Sequence, residues 1–139
     1  MTAFWWALLT AVIWGIVPVM EKVGLGQASP AVGVVVRSGG VMLGVLVFGW
    51  IWNPWPAMRM LSGSTIVLLM AGGFLASFVG QLVFYHALKI GAVSQIAPVA
   101  GIYPLIAACL GWICLREPFT LSRTLGVLCI VVGVILLRK

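Results

Sequence analysis

Apolar residues run almost unbroken along the chain, and polar residues gather in four short clusters between them. The clusters are EKVGLGQAS (21–29), NPWPAMRMLSGS (53–64), HALKIG (86–91) and LREP (115–118). Each contains the charges, prolines or glycines that punctuate helices. They leave apolar stretches at 3–20, 30–52, 65–85, 92–114 and 119–137. Each stretch comes close to the roughly 20 residues that an α-helix needs to cross a bilayer. The pattern predicts one all-α integral membrane domain of five transmembrane helices.

Composition agrees with that reading. Of the 139 residues, 63% are hydrophobic and 7% charged, against about a quarter charged in an ordinary soluble domain. The net charge of +6 comes from Lys and Arg scattered singly, with no basic stripe of the kind that binds nucleic acid. Membrane lipid is the expected surrounding. The N-terminal MTAFWWALLTAVIWG lacks the basic start and A-x-A cleavage site of a signal peptide, so it reads as the first span.

The chemistry available is narrow. One histidine and two carboxylates in the chain leave no material for paired-acid catalysis or a Ser-His-Asp relay. Cys109, Cys114 and Cys129 lie in apolar stretches without His, Asp or Glu at ligand spacing. No enzyme activity, metal or cofactor is expected.

Five spans put the termini on opposite sides. The N-terminal side, A, then carries Arg59, Arg116 and Arg123, and side B carries Lys22, Lys89, Arg138 and Lys139. Positive charge is therefore almost evenly divided, and the positive-inside rule assigns no orientation. Trp5, Trp6, Trp50, Trp52, Trp55 and Trp112 all fall near side A, which gives that side the aromatic belt.

Membrane helices associate where small residues let backbones approach. At helical spacing, Gly73, Ser77 and Gly80 share a face of span three, and Ala97, Gly101, Pro104, Ala108 and Gly111 share a face of span four. Span five offers Gly126 and Gly133. On span two, Gly33, Gly40 and Gly44 share a face with Arg37. A charge on the packing face of a span points to the bundle interior or a water-filled cavity. The alternative is an arginine that snorkels to the interface, because seven residues past Pro30 is roughly 10 Å of helix rise.

Other polar or helix-breaking residues join Arg37 as candidates for lining a path. Gln81 and Tyr85 stand one turn apart on span three, and Pro98 and Pro104 interrupt span four. Broken helices at membrane depth often mark substrate sites, although they also occur in helices without cargo. Trp14 and Tyr103 complete this set. Within one protomer, the acid on the same side as Arg37 is Glu21.

The stretch FYHALKIGAVSQIAPVAGIYPLIAACLGWICLREPFTLSRTLGVLCIVVGVILL resembles the EamA domain of the drug/metabolite transporter superfamily. The matching residues are Tyr85, Ala87, Leu88, Ala92, Pro98, Pro104, Glu117, Thr120, Gly126 and Gly133. Upstream, Trp14-Gly15 resembles the family's first-span Trp-Gly, and Ser29, Pro30 and Arg37 resemble the opening and arginine of its second span. Arg116 departs from the family, which usually has glycine before the glutamate.

The resemblance implies one half of a ten-helix inverted-repeat transporter in a bacterial or archaeal inner membrane. It implies export of a small metabolite by alternating access, from an antiparallel homodimer or with a second half-size subunit. An even charge count suits a chain that inserts both ways. In an antiparallel dimer the partner's Glu117 joins Glu21 as an ion-pair candidate for Arg37; the alternative role for Arg37 is contact with an anionic group of the cargo. A flippase-like or accessory subunit for a lipid-linked substrate, and a structural scaffold without cargo, are the competing functions. A proton-coupled drug antiporter is disfavoured, because the four-span relatives use a mid-membrane carboxylate and none of the five predicted spans contains one.

Overall fold

The computed structural model describes residues 2–118 and 120–136, apart from the side chain of Arg123. Phe119 and Leu137, the ends of the expected fifth span, lie outside the described residues, as do Arg138 and Lys139 of side B. Every regular element among the described residues is helical. The chain divides into two compact units, residues 1–90 and 91–139.

The first unit opens with α1 (Ala3–Gly24), which contains Pro18. The helix continues four residues beyond the expected end at 20, since nothing between Met20 and Gly24 breaks it. Glu21 therefore sits in its last turn rather than in a loop. α2 (Pro30–Trp52) starts at Ser29, whose hydroxyl accepts from the Val32 N–H at 3.3 Å, with Pro30 in the first turn. It stops at Asn53, which takes the left-handed conformation (φ 45°) and donates its N–H to the Gly49 carbonyl at 3.1 Å.

After the short α3 (Trp55–Met58), Ser62 caps α4 (Gly63–Phe74) by accepting from the Thr65 N–H at 3.2 Å. α4 runs through a π-helical segment, Leu75–Gly80, into α5 (Gln81–Ile90). Together these form one apolar rod of 28 residues, Gly63–Ile90. The wider π turn shifts the register after it, so the small residues Gly73, Ser77 and Gly80 do not follow one continuous α period.

α5 packs on α1 and α2, and the tightest burial in this unit is at that meeting. Leu25, Val34, Tyr85 and Leu88 are 3%, 1%, 3% and 0% exposed. Elsewhere the unit is apolar outward: of the most apolar 18-residue window of α1 and of the long rod, 0% is buried, and of that in α2, 6%. Such surfaces belong in hydrocarbon, where lipid-facing backbone must be satisfied within the helix itself.

The second unit contains α6 (Val93–Ala100), α7 (Tyr103–Cys114) and α8 (Leu121–Leu136). Pro98 lies inside α6, and Pro104 in the first turn of α7, where a missing N–H costs nothing. Between them the chain turns at Gly101, whose N–H donates to the Ala97 carbonyl at 2.9 Å. α7 packs on α8, and Val134 of α8 is buried. With Val93–Cys114 counted as one, four segments among the described residues are long and apolar enough to cross a membrane. α8 has 16 described residues, a rise of about 24 Å.

Candidate functional site

A carboxylate one turn from the end of α1 and a guanidinium two turns into α2 meet inside the first unit. Arg37 Nε lies 3.3 Å from Glu21 Oε1, and the side chains are 31% and 10% exposed. Helical direction explains the meeting. Side chains lean toward the N-terminus of their own helix; α1 and α2 run in opposite directions, so Glu21 and Arg37 lean toward each other.

α5 supplies two more donors to the same oxygen. The Gln81 amide donates to Glu21 Oε1 at 3.0 Å and the Tyr85 hydroxyl at 2.8 Å. Gln81 and Tyr85 are four residues apart in the first turns after the π segment, so the register shift of that segment helps set which face they present. Three helices thus converge on one carboxylate oxygen. The other, Oε2, is buried with no hydrogen-bond partner, and so is Arg37 Nη1.

Both charged residues line a cavity of about 280 Å³. Its remaining wall is formed by Met20, Gly24, Leu25, Ala28, Gly33, Val36 and Tyr85, which is apolar except for the tyrosine. Gly33 is what lets the tyrosine lie so close to α2: a Cβ there would stand 2.9 Å from Tyr85 Cε2 and 2.6 Å from Leu25 Cδ2. Beneath the cavity the loop after α1 is held by lysines. Lys89 donates to the carbonyls of Leu25, Gly26 and Ala28 at 2.5, 3.2 and 2.8 Å, while Lys22 donates to the carbonyl of Leu88. Each helix end thus receives a cation where its carbonyls are exposed.

Of the residues singled out in the sequence, Arg37, Glu21, Gln81, Tyr85 and Gly33 come together here. Trp14 lies on the exposed flank of α1, two turns before Glu21. Gly40 and Gly44 are exposed on α2, with nothing within 4 Å of a Cβ at either among the described residues of the unit. Pro98, Tyr103 and Pro104 belong to the second unit, as do Ala97, Ala108, Gly126 and Gly133.

Glu117 is also in the second unit, where its carboxylate carbon stands 3.4 Å from a Cβ built on Gly111. Arg116 before it takes φ 53°, the left-handed conformation that glycine adopts without steric cost. The turn lets the Glu117 N–H return to the Gly111 carbonyl at 3.2 Å.

Sequence reasoning missed the lysine clamp. A basic residue in the last turn of α5 was the available signal. It also missed the π segment, for which residue type gives no signature.

Apolar outward faces and, among the described residues, four helical segments of spanning length define a multi-pass membrane protein, whose first unit holds a charged, partly unsatisfied cavity. The chain belongs to the EamA-like transporter family, which it matches over residues 1–139. It is 28% identical over 132 residues to an uncharacterized transporter encoded in the cobO 3′ region of a Sinorhizobium species, covering 95% of this chain and 93% of that one. A shorter match, 37% identical over 59 residues, covers 42% of the chain and 43% of an uncharacterized protein of Methanocaldococcus jannaschii. No solved structure matches the chain.

Proposed function

We propose that the protein carries a small metabolite across a bacterial or archaeal inner membrane by alternating access, with the Glu21–Arg37 cavity in the substrate path. The observation that carries the reading is an ion pair placed among lipid-length apolar helices and opening onto a cavity. Charges inside membrane segments are costly and usually mark substrate or ion pathways. A scaffold without cargo has no need of the pair, and apolar packing of similar volume would hold the helices as well or better.

The fifth span, α8, and a second half complete the transporter in this reading. That half is an antiparallel second copy of the chain or a second half-size subunit, which gives the inverted repeats around which such transporters rock. The even distribution of Lys and Arg supports dual insertion. Membership of a transporter family supports transport over catalysis.

Solute counterflow in proteoliposomes tests transport, using amino acids, nucleosides and sugars as labelled probes. Uptake above protein-free vesicles is expected for one class, and none for all three would count against the proposal. Assembly is tested separately, by reporters fused after Lys139 and by cross-linking. Reporters on both sides of the membrane, with antiparallel cross-links, are expected for the homodimer; a single location with only parallel cross-links would exclude it.

A further inference from the structure

The connection between α1 and α2, residues 25–29, turns one side chain fully inward. Leu25 is 3% exposed, Ala28 is partly buried, and Gly26, Gln27 and Ser29 are exposed. Leu25 fills the space that Gly33 leaves open, its Cδ2 standing 2.6 Å from a Cβ built there, and together with Ala28 it lines the Glu21–Arg37 cavity. Because the connection joins α1 to α2, these two residues wall the cavity at the joined end of the hairpin, on side B.

The Lys89 ammonium ties the connection to α5. It has three N–H donors and no acceptor, and the carbonyls of Leu25, Gly26 and Ala28 take all three, at 2.5, 3.2 and 2.8 Å. Among the described residues, the other hydrogen bonds of the connection are local. Leu25 and Gly26 donate their N–H groups back to the Glu21 and Val23 carbonyls, and Ser29 accepts from the N–H groups of Val32 and Gly33. Lys89 is itself exposed, near the end of α5. Bonds in such a place exchange for bonds to water at modest net cost.

The elements on either side of the connection are held independently of Lys89. Lys22, in the last turn of α1, donates to the Leu88 carbonyl in the last turn of α5, so the end of α1 stays on α5 whether or not Lys89 is engaged. Ser29 caps α2 from the other side. Gly24 stands where the chain leaves α1, with nothing within 4 Å of a Cβ. Such an element-terminal residue is where a hinge absorbs changes of backbone angle.

We propose that residues 25–29 form a gate to the Glu21–Arg37 cavity, with Leu25 as its plug and Lys89 as its latch. When the ammonium leaves the three carbonyls, the connection swings outward on Gly24, Leu25 leaves Gly33, and the joined end of the cavity opens to water. The Leu25 N–H is bonded to the Glu21 carbonyl at 2.8 Å, so the swing also loosens the turn that carries the charge. The role of the gate in a cycle rests on the transport reading, in which it is the opening to side B. Its movement is measurable without transport.

The test is the reaction of Leu25→Cys with a charged methanethiosulfonate reagent, in detergent-solubilised protein whose Cys109, Cys114 and Cys129 are changed to alanine. A slow rate that is insensitive to low concentrations of denaturant is expected, since local opening exposes little new surface. Lys89→Met removes the latch and is expected to speed the reaction at least tenfold, whereas Lys22→Met leaves the latch in place and is expected to change it far less. An unchanged rate in Lys89→Met, an equal rise in Lys22→Met, or a rate that climbs steeply with denaturant would overturn the gate.

A second measurement separates the gate from transport. In the same cysteine-free background, Gln27→Cys and Ile90→Cys, both at exposed positions, are joined by a short cleavable thiol linker that fixes the connection to α5. Counterflow of amino acids, nucleosides or sugars is expected to stop on linking and to return on cleavage. Counterflow that continues in the linked protein overturns the gate and keeps transport. Latch-dependent reactivity of Leu25→Cys without counterflow of any probe supports the gate and counts against transport.

Discussion

Tyr85 donates its hydroxyl to Glu21 Oε1 at 2.8 Å while its ring lies where a Cβ on Gly33 would stand 2.9 Å from Cε2. One side chain thus joins α5 to α1 by a charge-assisted bond and to α2 by close packing. Tyr85→Phe keeps the packing and removes the bond, and hydrogen bonds to charged groups are worth about 1.5–3 kcal/mol. The expected loss is toward the lower end, since Gln81 and Arg37 still hold the carboxylate, and denaturant unfolding of the detergent-solubilised protein measures it. A loss below a few tenths of a kcal/mol would mean that the hydroxyl does not carry the junction.

Gly33 and Gly40 lie on the same helix and make opposite predictions. At Gly33 a methyl group collides with Leu25 and Tyr85, whereas at Gly40 it meets nothing within 4 Å. Gly33→Ala is expected to destabilise by about 1–3 kcal/mol, the usual cost of overpacking. Gly40→Ala is expected to be neutral or stabilising by up to ~1 kcal/mol, because alanine is the better helix former. Parallel thermal unfolding of the two variants is the check, and equal effects would contradict it.

The π segment, Leu75–Gly80, sets the register of Gln81 and Tyr85. Deleting Val79 is expected to convert the segment to α-helix and turn both side chains away from Glu21, without breaking the rod. Helical circular dichroism is then retained while the stabilising contribution of Tyr85 disappears, so that a further Tyr85→Phe change has no effect. Retained sensitivity to Tyr85→Phe would show that the π turn does not aim the residue.

Arg116 holds a left-handed conformation, φ 53°, which costs an ordinary residue about 1–2 kcal/mol. Arg116→Gly removes that strain, although glycine gives back part of the gain through the entropy of the unfolded chain. A net stabilisation of a few tenths to ~1 kcal/mol is expected. Hydrogen exchange at the Glu117 amide, which donates to Gly111, reads the turn directly. Faster exchange in the variant would contradict the account.

Much of this was legible in the sequence, for identifiable reasons. Runs of apolar residues bounded by EKVGLGQAS and NPWPAMRMLSGS located the helices, because lipid leaves little alternative to a helix for such runs. The glycine spacing grouped Arg37 with Gly33, where α2 is closely approached, but Gly40 and Gly44 of the same stripe meet nothing among the described residues of the unit; the position of Arg37 along the span named Glu21 as an available acid on the same side. What pattern alone missed was the depth of Glu21. The helix runs on to Gly24, because residues 21–24 contain no helix stop although they contain two charges. The convergence of Gln81 and Tyr85 depends on a π turn formed by ordinary residues, and the lysine clamp depends on two helix ends meeting in space. Both are tertiary facts. The expected absence of an acid from the spans was a boundary judgement, and four residues of extra helix change its premise.

The most direct test of the central claim is counterflow of labelled amino acids, nucleosides and sugars in proteoliposomes, comparing the unaltered protein with Glu21→Gln, Arg37→Lys and protein-free vesicles. The Glu21–Arg37 cavity as a transport site predicts accumulation above protein-free vesicles for the unaltered protein, and a fall of at least tenfold in both variants. Accumulation unchanged by either substitution, or no accumulation by the unaltered protein, would contradict it.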